Sequence, residues 1–125
     1  MGLKILLVIT AIVAFVFGIA FIFMPSQVYS QYGIESNLNL NFMGQIFGAA
    51  LLSLALISWL VRNTTDPVAR RAVVVAFFIG ETVGFIVSLI AQIRGAMNAL
   101  GWSVVAIYLL LALGFAYFTF KKSSA

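Results

Sequence analysis

Residues 72–93 read AVVVAFFIGETVGFIVSLIAQI. Apolar residues fill nearly every position without alternating, and one carboxylic acid, Glu81, interrupts the run near its middle. The length is close to the roughly 20 residues that carry a helix across ~30 Å of hydrocarbon. A barrel strand would be shorter and would alternate apolar with polar positions. The stretch therefore predicts a membrane-spanning helix. Because lipid offers a backbone no hydrogen-bond partners, a helix is also what such a run requires.

Working outward, three more apolar spans appear. They cover about residues 3–24, ending at Pro25, then 40–61 and 102–120, while the third helix itself is expected from Pro67 to 93. Composition agrees. The chain has 125 residues, of which 64% are hydrophobic and only 8% charged, and its mean hydropathy is +1.18. A soluble domain of this size could not hide so much apolar surface, because small globules leave much of their area exposed. A single all-α domain is expected over residues 1–125, an integral membrane antiparallel four-helix bundle. The first span is longer than the apolar core of a signal peptide, and FIFMPSQ has no small-x-small cleavage pattern, so it is expected to be retained.

What is missing excludes much chemistry. There is no cysteine and no histidine, so thiol nucleophiles, thiolate metal sites and imidazole ligands or bases have no donor. No metal and no cofactor is expected. The net charge of +4 does not point to nucleic acid, because the basic residues stand at the ends of apolar runs without interleaved aromatics. They read as topology signals. Lys4, Arg62, Arg70, Arg71, Lys121 and Lys122 fall on one side and Arg94 on the other. By the positive-inside rule both termini and the Arg62–Arg71 loop are cytoplasmic, giving a multi-pass protein of the plasma (inner) membrane. Tyr29, Tyr32 and Trp102 fall at the outer interface, Trp59 and Tyr117 towards the inner one.

The connections carry local signals. In RNTTDPVARR, Asp66 can cap a helix that begins at Pro67. In PSQVYSQYGIESNLN, Ser26 is expected to cap a short interfacial helix through about residue 32, closed by Gly33 in a left-handed conformation. RGAMNALG reads as a tight outer turn.

Small residues recur at four-residue spacing. Helix three carries Ala72, Ala76, Gly80, Gly84 and Ser88, helix two carries Gly44 and Gly48, and helix one carries Ala14 and Gly18. Such spacing lets helices approach backbone to backbone. It predicts helix three at the centre of the bundle, packed through this groove on a neighbour within the chain.

Glu81 lies near mid-depth, where an ionised carboxylate costs roughly 2.5–3.5 kcal/mol on insertion scales. The neutral, hydrogen-bond-donating acid is the form expected there. On a helix it shares a side with Gly84, Ser88 and Gln92, turned towards other helices. Thr10 and Ser53 fall near its level, Tyr117 lies somewhat further towards the inside, and Asn41 and Gln45 lie opposite Ser88 and Gln92. A polar seam between helices two and three, open to the outer side, is the expectation.

The second helix, GQIFGAALLSLALISW, resembles that of the small DoxX-like bacterial membrane proteins, and so does the four-helix plan. The resemblance implies an inner-membrane protein accessory to a redox or stress pathway. Where that family often has a basic residue before the Phe-Gly pair, this chain has Gln45, and no catalytic residue is carried over. In size and helix count the chain is also similar to small multidrug exporters, but their essential glutamate lies in the first helix, which here has no acid.

The leading expectation is a non-enzymatic polytopic protein, an accessory subunit or small-ligand-binding bundle, with lipid and either other membrane subunits or a second copy as partners. A proton-coupled carrier using Glu81 is the alternative. A lipid enzyme would need Ser53 beside Glu81. The topology is tested by fusing compartment-specific reporters to each end, with both expected to report the cytoplasm; ends on opposite sides would overturn it.

Overall fold

The computed structural model describes residues 2–121, which form five helices and, among those residues, no strand. These are α1 (Gly2–Phe23), α2 (Pro25–Gln31), α3 (Leu38–Val61), α4 (Pro67–Ile93) and α5 (Gly101–Phe120). Lys122, counted above as a topology signal, lies outside the described residues. Four helices, all but α2, are long and apolar enough to cross a membrane. Their outward faces carry large apolar side chains such as Ile9, Phe15, Leu60, Ile79, Val87 and Leu110, a surface suited to hydrocarbon and costly in water.

The helix ends follow sequence chemistry closely. Asn37 caps α3, its side-chain oxygen accepting from the Leu40 N–H at 2.8 Å. Asp66 caps α4 through the Val68 N–H at 3.1 Å, with Pro67 in the first turn. Gly33 (φ 74°) and Gly95 (φ 81°) stop α2 and α4 in the left-handed region. Around each, two bonds close the helix: Gly33 N–H to Ser30 and Ile34 N–H to Tyr29, then Gly95 N–H to Gln92 and Ala96 N–H to Ala91.

One cap differs from expectation. Met24, not Ser26, stands at the start of α2, and Ser26 donates instead to Gln27 Oε1 at 3.1 Å. Pro25 is the reason. Lacking an N–H and holding a helical φ, it takes the first helical position, so the cap falls one residue before it.

The helices run up and down as two hairpins. α1 packs along α3, and α4 along α5, while the two hairpins meet sparsely. In the first hairpin the small residues face one another. A Cβ at Gly48 would stand 2.7 Å from the Gly18 carbonyl oxygen, and one at Gly18 would stand 3.0 Å from the Gly48 oxygen. Backbones this close leave room for nothing larger than glycine. Gly44 receives the Tyr29 ring, whose hydroxyl donates to the Leu40 carbonyl at 3.1 Å. In the second hairpin Phe77 stacks on Phe115 with centroids 5.1 Å apart.

Between hairpins, the end carrying the termini holds an apolar core of Leu3, Leu7, Val74, Phe77 and Phe115. Leu6 seats on Gly114 and Phe118 against Gly2. The opposite end, carrying α2, is joined by polar contacts described below.

Helix α4 is not the centre of the bundle. Its neighbour is α5, and Ala72, Ala76 and Gly80 are exposed, with nothing within 4 Å of a Cβ built on Gly80. The helical repeat explains this. A four-residue step advances about 400°, so each small residue lies about 40° further round. The stripe winds from the open side of α4 and reaches the α5 seam only at Gly84 and Ser88. The buried face follows mixed spacing instead: Val74, Phe77, Glu81, Ser88 and Gln92.

These contacts separate two glycines of equal sequence prominence. Gly48→Ala is expected to destabilise the protein by about 1–3 kcal/mol through overpacking, while Gly80→Ala stays within ~1 kcal/mol or stabilises. Thermal unfolding of both variants in one detergent checks the contrast.

Candidate functional site

Because α4 is fixed against α5 by Phe77 and Gly84, the intervening turn is turned inward, and Glu81 with it. Glu81 is 9% exposed. No hydrogen bond joins its carboxyl to another described residue. The ring of Tyr108 on α5 crosses Gly84, one helical turn from Glu81 on the same side of α4, filling the space a side chain there would need. The glycine thus admits the tyrosine next to the acid.

The polar strip continues along α4. The Ser88 hydroxyl donates to the Phe85 carbonyl at 3.2 Å. Gln92, 8% exposed, donates through Nε2 to the Asn98 carbonyl at 2.9 Å, and its Oε1 is buried without a partner against Gly101. Glu81, Ser88 and Gln92 therefore belong together, on the α4–α5 seam beside Tyr108.

The other expected members lie elsewhere. Thr10 is buried in α1 but its hydroxyl returns to the Leu6 carbonyl of its own helix at 2.9 Å. Asn41 is half-buried with Oδ1 unpaired. Gln45 is exposed and donates to the Ile22 carbonyl at 3.0 Å, tying α3 to the end of α1. Ser53 is exposed. The expected seam between α3 and α4 is not formed. Gly44, Gly48 and Ala55 turn towards α1, which carries Asn41 and Gln45 to its flank and Ser53 to the far side. Ser53 and Glu81 consequently lie on faces that do not meet, so the pair a lipid enzyme would need is absent among the described residues.

Tyr117, expected near Glu81, is 59% exposed, with Lys121 above its ring at 5.4 Å. Depth already separates it from Tyr108, since the two stand about 13 Å apart along α5, and the Phe77–Phe115 and Gly84–Tyr108 contacts set Glu81 nearer the level of Tyr108. Facing agrees: Tyr108 shares the seven-residue series Gly101, Tyr108, Phe115 on the inner side of α5, while Tyr117 lies two residues, about 200°, from Phe115.

Two apolar surface grooves lie away from this strip. One of about 310 Å³ runs between α1 and α3 beside Ala11, Phe15, Ala55 and Trp59. Another of about 220 Å³ lies under α2, beside Phe17, Tyr32 and Leu100.

The fold and strip define an all-helical protein with four candidate membrane spans and an inward-facing acid. Residues 1–124 match the family described as Domain of unknown function (DUF8292), and the chain belongs to that family. No curated protein and no solved structure matches it.

The Gly84–Tyr108 contact gives a coupled prediction. Gly84→Ala is expected to cost about 1–3 kcal/mol alone but less when Tyr108 is already shortened to Ala. A double-mutant cycle read by thermal unfolding checks the sign; additive effects would mean the ring is not seated there.

Proposed function

We propose that this is a non-enzymatic multi-pass protein of the bacterial inner membrane with both termini cytoplasmic. It binds a small polar or amphipathic molecule at Glu81 and Tyr108, alone or as the accessory subunit of a larger complex. The observation that carries this reading is the inward-facing, unpaired Glu81. An acid among candidate membrane spans is expensive, and without a role it is readily replaced by an apolar residue. A structural acid would be expected to spend its hydrogen bonds on a neighbouring helix. Glu81 leaves them for a guest. The DoxX-like resemblance of the second helix fits an accessory role in such a membrane.

The proton-coupled carrier is the second reading. The sparse contact between the hairpins favours it, because alternating access needs two bodies that can rock against each other around one site.

The two readings part on one substitution. Glu81→Gln keeps the shape of the neutral acid and is expected to change unfolding by less than ~1 kcal/mol. Native mass spectrometry of protein extracted from its host membrane should show a small-molecule adduct that Glu81→Gln with Tyr108→Phe removes; identical spectra would overturn the binding reading. For the carrier, vesicles loaded with a pH-sensitive dye should acidify with the unaltered chain and not with Glu81→Gln. Equal proton flux in both would remove it.

A further inference from the structure

All the hydrogen bonds that join residues 2–62 to residues 67–121, among the described residues, are made by one side chain and its own backbone. Asn98, in the α4–α5 turn, donates its backbone N–H to the Tyr32 carbonyl at 2.8 Å and its Nδ2 to the Gln31 carbonyl at 3.0 Å. Both acceptors lie at the end of α2, in the other hairpin. The remaining groups of Asn98 hold its own turn: Oδ1 accepts from Leu100 N–H at 3.0 Å, and its carbonyl accepts from Gln92 Nε2 and from Gly101 N–H at 2.9 Å each. All four of its hydrogen-bonding groups are used. Gly33, at φ 74°, lies against the Asn98 side chain, where a Cβ would come within 3.1 Å of it.

The two ends of the bundle are therefore held by different means. At the terminus end, interlocked apolar side chains from α1, α4 and α5 form a buried core. At the α2 end, the link is a pair of hydrogen bonds from an exposed residue, which water can replace. Behind that link the next polar group is Gln92, and beyond it on the same face of α4 come Ser88 and Glu81. Glu81 and Ser88 follow Val74, which packs in the core shared with α1, at seven-residue steps along α4, so they also face the first hairpin. A separation at the α2 end would thus open onto the polar strip, while one at the other end would have to break the core.

We propose that Asn98 is a latch: releasing Gln31 and Tyr32 lets the α4–α5 hairpin swing away from α2 and opens the Gln92–Ser88–Glu81 strip to the outer aqueous phase. The access route is then one-sided, with the apolar core as its hinge. The proposal rests on the reading of Glu81 as the binding site and supplies the path by which a guest reaches it. It also restores an outward opening to the strip, along the interface between hairpins and not between α3 and α4.

The chain contains no cysteine, so a single introduced thiol reports access directly. Ser88→Cys places it midway along the strip, and right-side-out membrane vesicles are treated with a membrane-impermeant maleimide. Labelling is expected to be slow in an otherwise unaltered chain. It should be about fivefold to tenfold faster with Asn98→Ala, the change in population for losing one ordinary hydrogen bond. Asn98→Asp keeps the acceptor for Leu100 but cannot donate to Gln31, and should accelerate labelling too; it serves if the alanine variant does not fold. Thr65→Cys, exposed in the α3–α4 loop on the side read as cytoplasmic, controls for intact vesicles and should stay unlabelled whatever stands at residue 98.

Unchanged Ser88→Cys labelling in a folded Asn98 variant overturns the latch, whatever the adduct measurement shows. Faster labelling in chains that carry no small-molecule adduct upholds the latch and removes the binding reading instead.

Discussion

The backbone contact between Gly18 and Gly48 sets the orientation on which the remaining arrangement depends. In hydrocarbon, two helices gain little from hiding apolar surface, since lipid is as apolar as leucine; what draws them together is close packing. With glycine at the crossing, α1 and α3 meet with carbonyl oxygens where side chains would otherwise stand. That contact turns Gly44, Gly48 and Ala55 to the inside of the first hairpin. Everything else on α3 follows by helical geometry, including the outward placement of Ser53 and the use of Gln45 to tie down the end of α1.

The second hairpin solves the same problem differently. Helix α4 offers α5 one glycine, and α5 answers with a tyrosine ring laid across it. Close approach here serves to place a phenol, where in the first hairpin it served to bring backbones together. The ring arrives beside Glu81, so the small residue and the acid are parts of one arrangement. Phe77 stacked on Phe115 holds the pair from the terminus side, and Gln92 braced on the Asn98 turn holds it from the other.

Much of this was legible in the sequence. The apolar runs gave the four long helices to within a residue or two, because their lengths and breakers are local properties. Asp66, Pro67, Gly33 and the Gly44/Gly48 and Ala14/Gly18 spacings were read for the roles they hold. The inward turn of Glu81, with Ser88 and Gln92 beside it, was also legible, since facing within one helix needs only the helical repeat. Ser26 was misplaced because Pro25 competes for the same start. Tyr108 was not singled out, because its place beside Glu81 comes from the meeting of its ring with Gly84 on another helix, which nothing local to α5 marks.

The amino-acid sequence by itself determined the solvent this chain is suited to, the extent of each helix and which side chains share a face. Those properties are set by hydropathy, caps and a fixed angular repeat, each acting over a few residues. Only the tertiary structure decided which helix meets which: that α4 pairs with α5, that the small-residue stripe of Ala72, Ala76 and Gly80 faces outward, and that Asn98 spans the hairpins. Partner choice depends on how surfaces far apart in the chain fit in space, and several helices offered glycine at similar spacing. The spacing marked where close approach is possible; the fit of the backbones selected where it occurs.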